Sequence, residues 1–277
     1  MNFHIGKDVS TKDSEYPPGM IGLSFGVENC HIHGIFYYSQ GQEASPTIIL
    51  CHGFPGFEKN ADLAQIFRRA GFNVFIFSYR GTWGSQGNFS FSNVITDTCK
   101  SVCYIMSDEF PLKKRVSNQP IILIGHSMGG FAALMAAAKL SKIRHIISIA
   151  GWNIGLSAKE SRQCSEVKAR INNILSGARV FNGVTPAALW NEMFLYENEY
   201  DLCNMAPKFA GRHIFLIAAK RDNDNPPEYN HIPLLNAFRE NSVTADEICI
   251  DADHTFAEKR LELAKVILKW LNKSIFI

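Results

Sequence analysis

Gly125-His126-Ser127-Met128-Gly129 sets a serine two residues from a glycine on either side. A serine hydroxyl reacts as a nucleophile when a sharp strand–turn–helix elbow lifts it clear of the backbone. Such a turn packs so closely that small residues are required around it. The context agrees: Pro120-Ile-Ile-Leu-Ile reads as a buried strand ahead of the motif, and residues 131–140 read as a helix behind it. Ser127 is the candidate nucleophile.

A serine needs a base, and the base needs an orienting acid. With the nucleophile on such an elbow, acid and base are expected in that order, just beyond later strands. His254 in Ile250-Asp-Ala-Asp-His254-Thr-Phe256 fits the base. Asp222 in Ile217-Ala-Ala-Lys-Arg-Asp222-Asn-Asp-Asn-Pro226 fits the acid, with Asp224 two residues on as the alternative. Asp251 and Asp253 flank His254 too closely to be its partner and read as solvated loop residues. Attack on a carbonyl also creates an oxyanion that needs two donors. The Met128 N–H, directly after the nucleophile, supplies one. His52-Gly53-Phe54-Pro55-Gly56 follows an earlier strand and offers the Phe54 N–H as the other, since Pro55 has none.

These residues must be positioned by a sheet. Apolar runs at 47–51, 73–78, 120–124, 145–150, 213–219 and 247–250 lack alternation and suit strands buried on both faces. Two earlier runs, 21–27 and 31–39, predict an antiparallel lead-in hairpin. Helical patterns at 60–70, 93–106, 128–140, 227–240 and 255–271 fill the gaps, giving an α/β fold: a mostly parallel sheet covered on both faces. Residues 151–208 break the rhythm and are too long for a connection. They read as an inserted helical cap, with one helix starting at Thr185-Pro186 and running to about Tyr196. The cap carries Trp152, Trp190, Met193, Phe194, Tyr196 and Tyr200, which favours an apolar or aromatic substrate portion. The whole chain, 1–277, reads as one domain with this insertion at about 151–208.

Composition narrows the rest. Of 277 residues, 46% are hydrophobic, enough for a substantial core. The formal net charge is +2 and no run of five Lys or Arg occurs, so the footprint of a nucleic-acid binder is missing. Seven cysteines are scattered with no CxxC spacing and read as reduced, buried small hydrophobes; Cys99 and Cys103, four apart, read as core on one helical face. His31 and His33 alternate on a strand without neighbouring carboxylate or Cys partners, and no metal or cofactor is expected. The first ten residues hold no apolar leader-like stretch, and no run approaches 18 apolar residues. The expectation is a soluble cytoplasmic protein acting on a small molecule, with no membrane span.

Taken together the chain resembles the α/β-hydrolase superfamily from about Gly19 to Leu271. The resemblance rests on HGFPG at 52–56, GHSMGG at 125–130, Asp222-x-x-x-Pro226 and DADHTF at 251–256. Ser78-Tyr-Arg-Gly-Thr-Trp-Gly-Ser-Gln-Gly87 is similar to the Arg-Gly-x-Gly-x-Ser loop of serine esterases and of prolyl-oligopeptidase-like and dienelactone-hydrolase-like relatives. The resemblance implies a triad of Ser127, Asp222 and His254, oxyanion donors at Phe54 and Met128, and a structural Arg80. It implies a serine hydrolase cleaving carboxylic esters through an acyl-enzyme, with a small peptidase or amidase, or an acyltransferase or thioesterase, as alternatives on the same machinery. Ser127 sets the chain apart from dienelactone hydrolases, which use Cys, and from dehalogenases and epoxide hydrolases, which use Asp.

Overall fold

The computed structural model describes residues 14–275; residues 1–13, which include the stretch inspected above for a leader, lie outside the described residues. Eight strands form one sheet: β1 (Gly19–Val27), β2 (Cys30–Tyr38), β3 (Thr47–Cys51), β4 (Asn73–Phe77), β5 (Ile121–His126), β6 (His145–Ile149), β7 (His213–Ala219) and β8 (Asp246–Ile250). The order is β1-β2-β4-β3-β5-β6-β7-β8. β1 pairs antiparallel with β2 and β2 antiparallel with β4, while every other pairing is parallel. The helices are α1 (Ala61–Arg69), α2 (Phe91–Met106), α3 (Lys113–Val116), α4 (Met128–Lys139), α5 (Ile154–Glu160), α6 (Ser165–Leu175), α7 (Pro186–Leu195), α8 (His231–Glu240) and α9 (Arg260–Ile275).

The unalternating apolar runs do what such runs do in a parallel sheet. Ile48 and Leu50 of β3, Ile122 and Ile124 of β5, and Ile147 and Ile149 of β6 face one core with α1 and α9. Their neighbours Ile49, Cys51, Leu123 and Ile146 face the other core, with α2, α4, α8 and residues of the 151–208 segment. β8 departs from the pattern because it lies at the edge: of its five residues only Ile250 is fully buried.

Two helices start later than their apolar periodicity implies. Beginning at 227, α8 would hold Pro233 in its interior, where the ring removes a backbone donor; starting at His231 puts Pro233 in the first turn, where no donor is needed. α9 cannot begin at 255 because Phe256 has φ 56° and the Asp253 carboxylate turns the chain by accepting from Ala257 N at 2.9 Å. The 151–208 segment holds α5, α6 and α7 with 3₁₀ turns at Ser176–Val180 and Ala206–Phe209. Thr185 caps α7 as expected, its hydroxyl accepting from Ala188 N, with Pro186 in the first turn.

The cysteines need a correction. All seven are free, and Cys51 is buried, but Cys103 and Cys249 are exposed and the other four half-buried. Val94, Thr98, Ser101, Val102 and Ile105 make the buried stripe of α2, which leaves Cys103 outside it. Cys249 lies on the open edge strand. Among the described residues no helix is long and apolar enough to cross a membrane.

Candidate functional site

The elbow forms where β5 ends and α4 begins. Ser127 has φ 58° and ψ −122°, a conformation that L-residues rarely adopt. It is held there because neighbouring backbones come together with no room for side chains. A Cβ on Gly125 would lie 1.8 Å from Gly129 O, and one on Gly129 would lie 1.9 Å from Cys51 O at the end of β3. The glycines flanking the serine are thus required by contact distance as well as by the turn.

The other site residues arrive from the loops after β3, β7 and β8. His254 Nδ1 lies 2.7 Å from Asp222 Oδ2. The carboxylate accepts, so the imidazole proton sits on Nδ1 and Nε2 is left as the bare acceptor. The second oxygen of Asp222 is fixed by the N–H groups of Asp224 at 2.9 Å and Asn225 at 2.7 Å. Asp222 is buried, with its side chain 1% exposed against 15% for His254. Asp224 is exposed, and among the described residues its carboxylate makes no bond to the imidazole. Asp251 is paired with Arg221, and Asp253 is occupied by Thr255 and Ala257, so neither competes for His254.

His126 is a finding the motif alone does not supply. Its Nε2 lies 2.7 Å from the His254 carbonyl oxygen and its ring centroid 4.8 Å from that of His254. Burial pulls its pKa down to about 3, so the ring is neutral and donates from Nε2 to the carbonyl, tethering the loop that carries His254. His52 is likewise held at about 3 by burial, with Nδ1 2.8 Å from Gly53 O.

Gly53 brings the β3 loop to the serine: a Cβ there would stand 3.1 Å from Ser127 Cβ. The Phe54 N–H on this loop and the Met128 N–H at the start of α4 donate to no protein acceptor among the described residues. Both are thus available to an incoming oxygen, and the Met128 donor has the helix N-terminus behind it. Arg80 is committed elsewhere: its backbone N–H and Nε both donate to the buried carboxylate of Asp97, at 2.8 and 2.7 Å, and it also pairs with Glu28.

The aromatic surroundings differ from the expectation. Trp152, Met193 and Tyr200 of the 151–208 segment are buried in the core, and Trp190 stacks on Phe194 with its Nε1 bonded to Asn172. The rings around Phe54 are instead Phe89, Phe91 and Phe181, with centroids 5.7, 6.4 and 5.1 Å away. Only Phe181 comes from the 151–208 segment. Phe89 and Phe91 lead into α2, and periodicity gave no sign that they would meet the loop at 52–56.

Asn225 carries no signal in the sequence. Its side chain is buried, and Nδ2 donates to Ser127 Oγ at 3.2 Å and to Ala150 O at 3.0 Å. Ser127 Oγ makes this bond and none to His254 among the described residues. No group of three or more His, Cys, Asp or Glu among the described residues is arranged to hold a metal.

Comparison with known proteins adds four findings. A family model described as the alpha/beta hydrolase fold matches residues 46–213. An uncharacterized 31.7 kDa protein of Escherichia coli, from the traX-finO intergenic region, is 34% identical over 116 residues, which are 41% of this chain and 40% of that protein. The match thus spans about two fifths of that relative's length. Among solved structures, an esterase of Pyrococcus furiosus is similar with TM-score 0.68 and 18% identity, over 97% of this chain and 96% of that one. An acylaminoacyl peptidase of Pyrococcus horikoshii gives TM-score 0.70 and 15% identity, over 94% of this chain and 42% of that one.

Proposed function

This chain belongs to the α/β-hydrolase family, and on that premise we propose that it is a serine hydrolase cleaving carboxylic esters through an acyl-enzyme. The observation that carries the proposal is the 2.7 Å bond that His254 Nδ1–H donates to Asp222, in a chain whose Ser127 stands on a strained elbow. Asp222 keeps the Nδ1 tautomer, so His254 Nε2 takes the Ser127 proton as Oγ attacks the carbonyl carbon. The Phe54 and Met128 N–H groups hold the oxyanion. His254 returns the proton to the leaving alcohol, and a water molecule, deprotonated by the same nitrogen, releases the acid. Asp222 rather than Asp224 is the acid, on the strength of its burial and its bond.

The insertion at 151–208 acts as the cap of a single domain. Support comes from its 3₁₀ turn Ser176–Val180, where a Cβ on Gly177 would stand 3.3 Å from the Phe54 ring. The phenylalanines around Phe54 favour an apolar or aromatic acyl or alcohol portion in a small-molecule substrate. A small peptidase or amidase is the second reading, because the fold likeness extends to an acylaminoacyl peptidase as well as to an esterase.

A matched series of p-nitrophenyl esters of increasing chain length and aminoacyl p-nitroanilides tests both readings. Ester turnover without anilide turnover is expected; comparable anilide efficiency moves the protein to the peptidases. Ser127→Ala is expected to lower kcat by about 10³-fold or more, and Asp222→Asn to cost far more than Asp224→Asn. Turnover surviving in Ser127→Ala would sink the triad.

A further inference from the structure

We propose that Asn225 is a catalytic residue acting on the leaving oxygen when the acyl-enzyme breaks down. The proposal rests on the acyl-enzyme reading above and adds a donor aimed at Ser127 Oγ itself, apart from the two backbone donors for the carbonyl oxygen.

The orientation of the Asn225 amide is fixed by its second contact. Ala150 O accepts and cannot donate, so the group 3.0 Å from it is the –NH₂. The same nitrogen stands 3.2 Å from Ser127 Oγ. Since an amide –NH₂ does not accept, Ser127 receives this bond, and its own proton stays free for His254. The backbone of Asn225 is pinned as well, by the 2.7 Å bond from its N–H to Asp222 Oδ1. One buried residue, 4% exposed, therefore ties the acid to the nucleophile. A side chain so placed is preorganised and needs no movement when charge develops.

The chemistry of the two half-reactions separates its effects. In acylation the ground-state hydroxyl already accepts this bond, so the donor adds only the increment gained as Oγ loses its proton; in the acyl-enzyme Oγ is an ester oxygen, a poor acceptor, and nearly the whole bond is gained on the way to the transition state. In deacylation water adds to the acyl carbon and gives its proton to His254. The tetrahedral species then collapses: the C–Oγ bond breaks, its electron pair passes to Oγ, and His254 returns the proton to that oxygen. Asn225 donates to Oγ as the charge builds.

Asn225→Leu keeps the side-chain size and removes the donor; Asn225→Ala is the second variant, and thermal melting selects those that fold. Two quantities are compared: the second-order rate of Ser127 labelling by a fluorophosphonate, which reports attack, and the decay of acetyl-Ser127 after p-nitrophenyl acetate, followed by intact-mass spectrometry. The ratio of labelling rate to decay rate is expected to rise about tenfold, the worth of one hydrogen bond to a charged oxygen. Acetyl-enzyme then accumulates where the wild type shows less. An unchanged ratio, whether both rates fall together or neither moves, overturns the proposal and leaves Asn225 a structural tie. Wild-type protein that resists the fluorophosphonate would instead overturn the triad reading, which keeps the two failures distinct.

Discussion

Around Ser127 the chain is held by backbone against backbone: Gly129 lies on Cys51 O, Gly125 on Gly129 O, and the Ser127 carbonyl accepts from Trp152 N at 3.1 Å. The 151–208 segment is held mostly by polar side chains. Glu192 of α7 accepts from Phe91 N and Ser92 N at the start of α2, at 3.0 and 2.7 Å, and from the Tyr200 hydroxyl at 2.9 Å. Asn182 bridges to Gly81 and Phe89 through its backbone and to Gly87 through its amide. Asn153, Asp201 and Lys159 close a third tie. The difference teaches that the elbow tolerates almost no change of side chain, because there is no space for one. The insertion tolerates many changes but depends on a few polar residues.

That contrast can be broken experimentally. Gly129→Ala forces a Cβ into Cys51 O and is expected to cost about 3 kcal/mol or more, or to leave no folded protein. A urea midpoint close to wild type would show that the elbow gives way more easily than its geometry implies. Glu192→Ala leaves two N–H groups at the start of α2 and the Tyr200 hydroxyl without their acceptor. About 2 kcal/mol of stability is expected to be lost, with new proteolytic nicks at residues 176–196 while the sheet stays protected. Uniform loss of protection would mean that insertion and sheet unfold as one unit. The smallest effect sharpens the comparison: Ser127→Gly should be about 1 kcal/mol more stable than Ser127→Ala, because both lack the hydroxyl but only glycine is at ease at φ 58°. Equal melting temperatures would show that the elbow carries no strain.

The same contrast governs what could be read in the sequence. β3 was legible to the residue at Thr47–Cys51 and β7 at His213–Ala219, since strands buried on both faces announce themselves by unbroken apolar runs. The elbow was legible because its glycines are demanded locally. Thr185-Pro186 marked the start of α7 for the same reason. α5 and α6 could not be placed within the insertion, whose helices take their order from contacts with the rest of the fold. Glu192 reaches a helix about 100 residues earlier in the chain, and Asn225 meets a serine 98 residues away. Neither pairing leaves a local signal. His126 falls between: its place beside the serine was plain, but its bond to the His254 carbonyl depends on where the loop after β8 ends up.

Phe54 carries one more consequence. In the proposed reaction its backbone N–H holds the oxyanion, whereas its ring lies against Phe181, and Gly177 of the 151–208 segment sits against the Phe54 ring and Pro55. In evolutionary terms, the proposed cap and the proposed oxyanion loop meet at one residue and cannot drift independently. A lineage that enlarged residue 177 or reshaped residue 181 to suit a new substrate would press on the residue proposed to hold the oxyanion.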